Sequence, residues 1–159
     1  MARSGKAFAK PYMRPNSELV LVVDDEPLDV DFIQRTLESA GFRVITANNP
    51  TSARQRFLEH AGEIDLLVID VSLPGKNGVE VANELLRLKP DVRVLFNSGH
   101  VGAEVIRFYG LPATDRHFLT KPFEAQTLID RVLEILENPE PLTFPKSSYE
   151  NGDTETQRK

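Results

Sequence analysis

Short apolar runs recur along the chain and predict the strands of a sheet. Residues 19–23 and 66–69 contain no polar side chain, a pattern typical of strands that are buried on both faces of a parallel sheet. Residues 42–47, 92–96 and 117–120 are shorter or more mixed runs that also predict strands. The pattern of 42–47 is the weakest of the five and favours a position at the edge of the sheet.

Apolar residues at helical spacing follow each predicted strand. Pro27 and Pro50 suit the first turn of a helix, where the missing N–H would have no partner in any case. Gly41 and Gly62 suit the positions just after a last turn. The five predicted helices span about 27–40, 50–61, 79–88, 104–109 and 125–136. Five strands that alternate with five helices predict a doubly wound α/β fold of parallel βαβ units, with right-handed crossovers and helices on both faces.

The segments outside this alternation predict two tails around a single domain. Residues 1–17 hold four basic residues and no acidic one, and we expect a flexible basic extension. Residues 138–159 are rich in Pro, Ser, Glu and Lys and show no apolar periodicity, a composition that favours disorder. The folded domain is therefore expected to span 18–137, a length that can bury a substantial core.

The composition excludes several classes of function. The chain of 159 residues has no cysteine, which rules out disulfides, thiol nucleophiles and thiolate metal sites. Its net charge of −5 does not provide the basic surface expected of a nucleic-acid binder. No apolar run reaches the roughly 18 residues of a membrane span, and the amino terminus lacks the apolar region of a signal peptide. We therefore expect a cytoplasmic protein that binds neither nucleic acid nor membrane.

Polar residues close four of the five predicted strands. Asp24 and Asp25 follow the first strand, Asp70 the third, Ser98 the fourth and Lys121 the fifth. Because the carboxyl ends of parallel strands share one edge, these side chains are expected to meet there, where open α/β sheets bind their ligands. The acids and the serine also have a purely structural interpretation, since each could cap the helix that follows it.

Three carboxylates at one edge repel one another and need a cation nearby. At about 4 Å and an effective dielectric constant near 20, each pair costs roughly 4 kcal/mol. Oxygen ligands suit a hard divalent ion such as Mg²⁺ or Mn²⁺. A divalent ion, a lysine and a hydroxyl are also the groups that neutralise a transferring phosphoryl group, and a carboxylate such as Asp70 can be its nucleophile. The chain has no P-loop and no dinucleotide-binding glycine motif, so a nucleotide is not the expected donor.

The segments around these residues resemble the receiver domain of two-component response regulators. The resemblance covers about 18–137, and its motifs stand in the order and at the separations of that family. They are VVDDEP at 22–27, IDVSLPGKNG at 69–78, FNSG at 96–99 and FLTKPF at 118–123. The resemblance implies the flavodoxin-like form of the fold, a five-stranded parallel sheet with strand order 2-1-3-4-5.

The resemblance also implies a role for each residue of the site. Asp70 would accept a phosphoryl group from a histidine kinase or a histidine phosphotransfer protein, and Lys121 would pair with the phosphoryl oxygens. Asp25 and Asp70 would bind Mg²⁺ directly, and Asp24 would do so chiefly through water. The main-chain carbonyl of Ser72 would be a further metal ligand.

Two residues would carry the switch that the resemblance implies. Ser98 would swing toward the phosphoryl group, and Phe118 would then turn inward. The Lys121–Pro122 peptide bond would be cis, which is otherwise rare. Ser98 stands where the family more often has threonine, an exchange that keeps the hydroxyl. The interrupted helix at 104–109 departs from the family pattern and leaves open whether the chain forms the usual homodimer.

The function expected from this resemblance is a phosphorylation switch that signals to protein partners. It would catalyse only its own phosphorylation and dephosphorylation, and the sequence does not indicate the downstream partner. The absence of a basic DNA-binding module after residue 137 favours a single-domain response regulator, and a receiver module excised from a hybrid histidine kinase is an alternative.

Two further alternatives concern the chemistry of Asp70. A phosphatase with an aspartyl nucleophile usually has a second acid two residues further on, where this chain has Ser72. A degenerate receiver would bind its partners without phosphorylation, but the acidic pair, the acceptor, Ser98 and Lys121 are all present. The phosphoacceptor hypothesis therefore takes precedence over both.

Overall fold

The computed structural model describes residues 18–99, 107 and 117–137. The predicted helix at 104–109, apart from Arg107, and the two predicted tails lie outside the described residues. Within the described part, strands and helices alternate along the chain. Their bounds are β1 Leu19–Val23, α1 Pro27–Ser39, β2 Arg43–Ala47, α2 Pro50–Glu59, β3 Ile64–Asp70, α3 Gly78–Leu88, β4 Arg93–Ser98, β5 Phe118–Thr120 and α4 Ala125–Glu137.

The five strands form one parallel sheet in the order β2-β1-β3-β4-β5. This order confirms the doubly wound fold and the 2-1-3-4-5 arrangement expected from the sequence. β2 lies at one edge, as its weak pattern predicted, and only Ala47 of its five residues is buried. In contrast, all five residues of β1 are buried in the middle of the sheet.

Two apolar clusters cover the two faces of the sheet. Alternate residues of β1 point to opposite sides, so that Leu21 and Val23 belong to one cluster and Val20 and Val22 to the other. The first cluster packs the sheet against α2 and α3, and the second packs it against α1 and α4. Both faces are therefore covered by helices, which is why the central strands read as uninterrupted apolar runs.

Two strands are longer than their apolar runs. β3 begins at Ile64, and Asp65 is accommodated there because its Oδ2 accepts a hydrogen bond from the main-chain N–H of Leu19 at 3.0 Å. β4 continues through Asn97 and Ser98, which stay in register with their neighbours on β3 and β5. The sheet thus carries polar residues within its strands and not only after them.

None of the helices in 18–99 and 117–137 has the length and hydropathy needed to cross a lipid bilayer.

Asparagine side chains begin two of the helices. The Oδ1 of Asn49 accepts a hydrogen bond from the N–H of Ser52 at 2.8 Å at the start of α2. The Oδ1 of Asn77 accepts one from the N–H of Glu80 at 3.0 Å at the start of α3. Each bond satisfies a main-chain donor that has no partner within the first turn.

The start of α3 lies directly against the end of β3. The N–H of Gly78 donates to the carbonyl of Val71 at 2.8 Å, and a Cβ at residue 78 would overlap the main-chain carbonyl oxygen of Asp70. Glycine is needed here because of this close approach between two main-chain segments.

Replacing Gly78 by alanine is expected to destabilise the domain. The added methyl group must displace main-chain atoms of Asp70, and overpacking of this kind costs about 1–3 kcal/mol. Chemical denaturation followed by circular dichroism measures the change in the free energy of unfolding. Gly99→Ala is the matched control, because a Cβ at residue 99 meets no atom within 4 Å. Equal stability of Gly78→Ala and the native protein would contradict the close approach.

Candidate functional site

The polar residues predicted from the strand ends meet at one edge of the sheet. Asp24 directly follows β1, Asp70 is the last residue of β3 and Ser98 is the last of β4. Lys121 directly follows β5, and its main-chain N–H donates to the carbonyl of Ser98 at 2.8 Å. The parallel strands deliver these groups to a common place, as expected.

Three carboxylates form a tight cluster at this edge. Side-chain oxygens of Asp24, Asp25 and Asp70 all lie within 4.8 Å of one another. Asp24 is completely buried, Asp70 is 5% exposed, and Asp25 is open to solvent. The cluster therefore has a buried base and a solvent-facing side through which a ligand could enter.

Lys121 supplies the positive charge inside this cluster. Its Nζ donates to Oδ2 of Asp24 at 3.2 Å and to Oδ2 of Asp70 at 3.1 Å. A third acid, Asp29 in the first turn of α1, accepts from the same Nζ at the shorter distance of 2.8 Å. All three protons of the ammonium group are thus directed at carboxylates.

The burial and the charges of the site change two pKa values. Burial, reinforced by the negative charge of Asp70, raises the pKa of Asp24 to about 6, although the hydrogen bond from Glu26 and the charge of Lys121 act in the opposite direction. Burial by itself would lower the pKa of the Lys121 ammonium. The hydrogen bond to Asp29 and the charges of Asp24 and Asp70 outweigh that effect and raise the pKa above its usual value. The lysine therefore remains charged at neutral pH.

Main-chain donors orient the two buried carboxylates. The N–H of Ser72 donates to Oδ1 of Asp70 at 2.9 Å, and the N–H of Glu26 donates to Oδ1 of Asp24 at 3.0 Å. In both residues Oδ1 is held by the main chain, and Oδ2 is the oxygen that accepts from Lys121. The two acids are thus fixed before any ligand is present.

The two predicted switch residues are placed less directly at the cluster. The hydroxyl of Ser98 is buried and donates to the carbonyl of Gly99 at 2.8 Å, not to an acid of the cluster. Phe118 is half-buried against the apolar cluster under α2 and α3, and its main-chain carbonyl accepts from Nη1 of Arg131 at 2.8 Å. The Lys121–Pro122 peptide bond is cis, as the resemblance implied. The switching roles remain predictions.

The donor set fits a hard divalent cation. Three carboxylates within 4.8 Å of one another, one of them exposed to solvent, provide charged oxygen ligands and room for water. Mg²⁺ prefers a small number of carboxylates together with several waters. Ser72 lies beside Asp70 through its N–H bond, and the role of its carbonyl as a further ligand remains a prediction.

Asp29 is the residue of the site that the sequence reasoning missed. An acid in the first turn of a helix has a sufficient explanation in the helix dipole, and so it attracted no separate hypothesis. Asp25 precedes α1, which begins at Pro27, so the spacing between the two acids does not place them on one helix face. No local signal identifies Asp29, because its partner Lys121 is far away along the chain.

An acid cluster with a central lysine thus lies at the carboxyl edge of a five-stranded parallel sheet, the edge at which open α/β sheets bind their ligands. The sequence profile of the response regulator receiver domain matches residues 20–133. The chain belongs to this family of receiver domains, as the sequence motifs suggested.

Relatives and solved structures agree with this assignment. The chain is 33% identical over 138 residues to the alkaline phosphatase synthesis transcriptional regulatory protein PhoP of Bacillus subtilis, covering 87% of this chain and 56% of that protein. It is 34% identical over 138 residues to the sensor kinase CckA of Brucella abortus, covering 86% of this chain and 14% of the kinase. The crystal structure of a response regulator receiver protein from Sinorhizobium medicae superposes with a TM-score of 0.67 and 30% identity, covering 78% of this chain and 98% of that one.

The chain spans about half the length of the first relatives it matches, 56% of PhoP and 48% of the Pseudomonas aeruginosa transcriptional regulatory protein AruR. The similarity therefore extends over only part of each of these proteins. Receiver domains are signalling modules.

Replacing Asp24 by asparagine is expected to stabilise the metal-free protein. Above its pKa of about 6, Asp24 is ionised. Keeping this charge fully buried beside Asp70, which repels it, lowers the free energy of unfolding by roughly 1–3 kcal/mol. Thermal unfolding in the presence of a chelator should show a rise of about 2–4 °C for each kcal/mol regained. Excess Mg²⁺ should then raise the midpoint of the native protein more than that of Asp24→Asn.

Asp25→Asn is the matched control for this measurement. It removes an exposed carboxylate of the same cluster, so it should leave the metal-free midpoint almost unchanged and still weaken the response to Mg²⁺. A midpoint of Asp24→Asn below that of the native protein in the chelator would show that the buried charge is not a net cost.

Proposed function

We propose that this chain is a phosphoacceptor receiver domain whose Asp70 takes a phosphoryl group from a histidine kinase or a histidine phosphotransfer protein. The observation that carries the proposal is the ion pair between Lys121 Nζ and Asp70 Oδ2 at 3.1 Å inside the acid cluster. It provides a nearly buried carboxylate beside an ammonium group, which is the electrostatic environment a transferring phosphoryl group requires.

The transfer converts Asp70 into an acyl phosphate. A carboxylate oxygen of Asp70 attacks the phosphorus of a phosphohistidine, and the bond between phosphorus and the imidazole nitrogen breaks as the oxygen–phosphorus bond forms. The electron pair of the broken bond stays on the imidazole nitrogen, which takes up a proton. The main-chain N–H of Ser72 holds one Asp70 oxygen in place during the approach.

Asp24, Asp25 and Asp70 would hold a Mg²⁺ or Mn²⁺ ion, with the Ser72 carbonyl as a further ligand. When bound, such an ion neutralises negative charge on the phosphoryl oxygens. Lys121 contributes the second positive charge. Its ammonium group already lies between the acids, and a short movement of its flexible side chain transfers its hydrogen bonds to the phosphoryl oxygens.

The signal would leave the site through Ser98 and Phe118. In the structure the Ser98 hydroxyl donates to Gly99, and this bond would be exchanged for one to a phosphoryl oxygen. Phe118 stands two residues before Thr120, which is in register with Ser98, so a shift at the end of β4 reaches β5 directly. We infer that the altered surface is recognised by protein partners in the cytoplasm.

The likeness to part of the sensor kinase CckA favours a second context for the same chemistry, a receiver module attached to a hybrid histidine kinase. The phosphatase alternative gains no comparable support. Ser72, two residues after Asp70, offers its N–H to the acceptor and has no carboxylate for acid–base work. Catalysis is thus expected to be limited to phosphorylation and dephosphorylation of Asp70 itself.

Treatment with acetyl phosphate and Mg²⁺ is expected to add one phosphoryl group to the native protein and none to Asp70→Asn, because the amide cannot act as the nucleophile. Intact-mass spectrometry measures the added mass. Asp65→Asn is the matched control, because Asp65 lies on the same strand at the opposite end and bonds to Leu19. Phosphoryl uptake by Asp70→Asn equal to that of the native protein would overturn the proposal.

Replacing Asp29 by asparagine is expected to speed phosphoryl uptake about two- to fivefold. The ammonium group of Lys121 must leave Asp29 to reach the phosphoryl oxygens, and a partly exposed ion pair of this kind holds it by only about 0.5–1 kcal/mol. The initial rate with acetyl phosphate measures the change. Asp31→Asn removes a neighbouring acid on α1 that pairs with Arg35, and its rate should stay that of the native protein. A slower Asp29→Asn would instead make Asp29 a contributor to the reactive site.

A further inference from the structure

Asn97 is a buried polar residue that has no role in the phosphotransfer proposed above. It is the next-to-last residue of β4 and has no solvent exposure. Neither its Oδ1 nor its Nδ2 has a hydrogen-bond partner in the structure over 18–99 and 117–137. Buried amide groups are almost always hydrogen-bonded, because the loss of water is otherwise uncompensated.

The register of the sheet places Asn97 beside the phosphoacceptor. Asn97 pairs with Asp70 on the adjacent strand β3. Leu95, two residues earlier on β4, and Val68, two residues before Asp70, both belong to the apolar cluster that faces α1 and α4. Because side chains alternate along a strand, the side chains of Asn97 and Asp70 both lie on that same face. The unpaired carboxamide is thus a direct neighbour of the Asp70 carboxylate.

The Lys121 side chain also runs across β4 near Asn97. β4 lies between β5 and β3, so the Lys121 side chain crosses β4 to reach Asp70 and then Asp24 just after β1. Its three ammonium protons are directed at Asp24, Asp29 and Asp70. In this state the ammonium group has no further hydrogen bond to donate to the Oδ1 of Asn97. The Oδ2 of Asp70 already accepts a hydrogen bond from Lys121.

A purely structural role explains Asn97 poorly. Asparagine is depleted in strands, and a leucine of similar size would fill the same space without two unpaired polar atoms. An unpaired polar group that destabilises one state of a site can be retained because it makes favourable contacts in another state of the same site. The phosphorylated state is the one that rearranges its neighbours.

We propose that Asn97 is a positioning residue for phosphorylated Asp70, an inference that rests on the proposed function. When Lys121 turns to the phosphoryl oxygens, the carbonyl oxygen of the Asp70 acyl phosphate loses its lysine donor. The Nδ2 of Asn97 then donates to that oxygen, and the Oδ1 of Asn97 accepts a hydrogen bond from the ammonium group. No covalent bond is made or broken by Asn97, which orients the acyl phosphate and the lysine beside it.

Asn97→Leu separates this role from a structural one. The variant should be more stable than the native protein, with a melting midpoint higher by at least about 2 °C. Its affinity for beryllofluoride, an acyl-phosphate mimic, in saturating Mg²⁺ should fall by at least about fivefold, because the two hydrogen bonds of Asn97 in the phosphorylated state are lost. Its Mg²⁺ affinity without beryllofluoride should stay unchanged, because the Asn97 side chain makes hydrogen bonds only in the phosphorylated form.

Asn83→Leu is the matched control. Asn83 on α3 is also buried with an unpaired Nδ2, but α3 packs on the opposite face of the sheet from Asp70. Its replacement should also raise the melting midpoint and should leave the beryllofluoride affinity at the native value. Asn97→Val, which is smaller and suited to a strand, provides the same comparison if Asn97→Leu does not fold.

The outcomes distinguish the two proposals. Native protein that neither binds beryllofluoride nor gains a phosphoryl group on Asp70 would overturn the proposed function, and the role of Asn97 with it. Native protein that does both, together with an unchanged beryllofluoride affinity in Asn97→Leu or an equal loss in Asn83→Leu, would overturn the role of Asn97 alone. A loss confined to position 97 supports it.

Discussion

The site depends on one ammonium group that compensates three carboxylates. Asp24 and Asp70 are delivered to the same edge by adjacent buried strands, and neither can move away from the other without disrupting the sheet. Lys121 reaches across β4 and offsets their repulsion, while Asp29 accepts a further hydrogen bond from its ammonium group. The excess of negative charge remains, and it makes the edge receptive to a divalent cation.

The two buried acids are held rigidly, whereas the groups around them can change their hydrogen bonds. Main-chain N–H groups of Ser72 and Glu26 hold one oxygen of each buried acid, so the proposed phosphoacceptor is oriented before any substrate is present. Lys121 and Ser98, in contrast, are held by side-chain contacts that the proposed phosphoryl group would replace. The structure therefore combines a fixed carboxylate with neighbouring groups that can exchange their hydrogen bonds.

The sheet and the positions of four residues of the site could be predicted from the sequence, because both depend on local patterns. Buried parallel strands leave apolar runs, and the polar residues after those runs, Asp24, Asp25, Asp70 and Lys121, must share an edge. The extent of β4 could not be read in this way. Its apolar run ends at Phe96, and the pairing of Asn97 with Asp70 and of Ser98 with Thr120 shows that the strand continues.

Long-range contacts explain what the sequence did not reveal. The ion pair between Lys121 and Asp29 joins residues 92 positions apart, and it depends on how far a flexible side chain extends across the sheet. Nothing in the pattern of α1 separates an acid that serves the helix dipole from one that binds a distant lysine. The unpaired state of Asn97 is likewise a property of its surroundings and leaves no local signal.

The contact between Gly78 and the main chain of Asp70 has a mechanical consequence. A shift of the start of α3 toward the end of β3 is blocked, because even a methyl group at residue 78 would overlap the main-chain carbonyl oxygen of Asp70. A rearrangement at the Asp70 side chain would therefore meet resistance on the side of α3. On the side of β4 and β5, the Lys121 ammonium group and the Ser98 hydroxyl are held by side-chain hydrogen bonds, which can be exchanged while the main-chain pairing of the sheet stays intact.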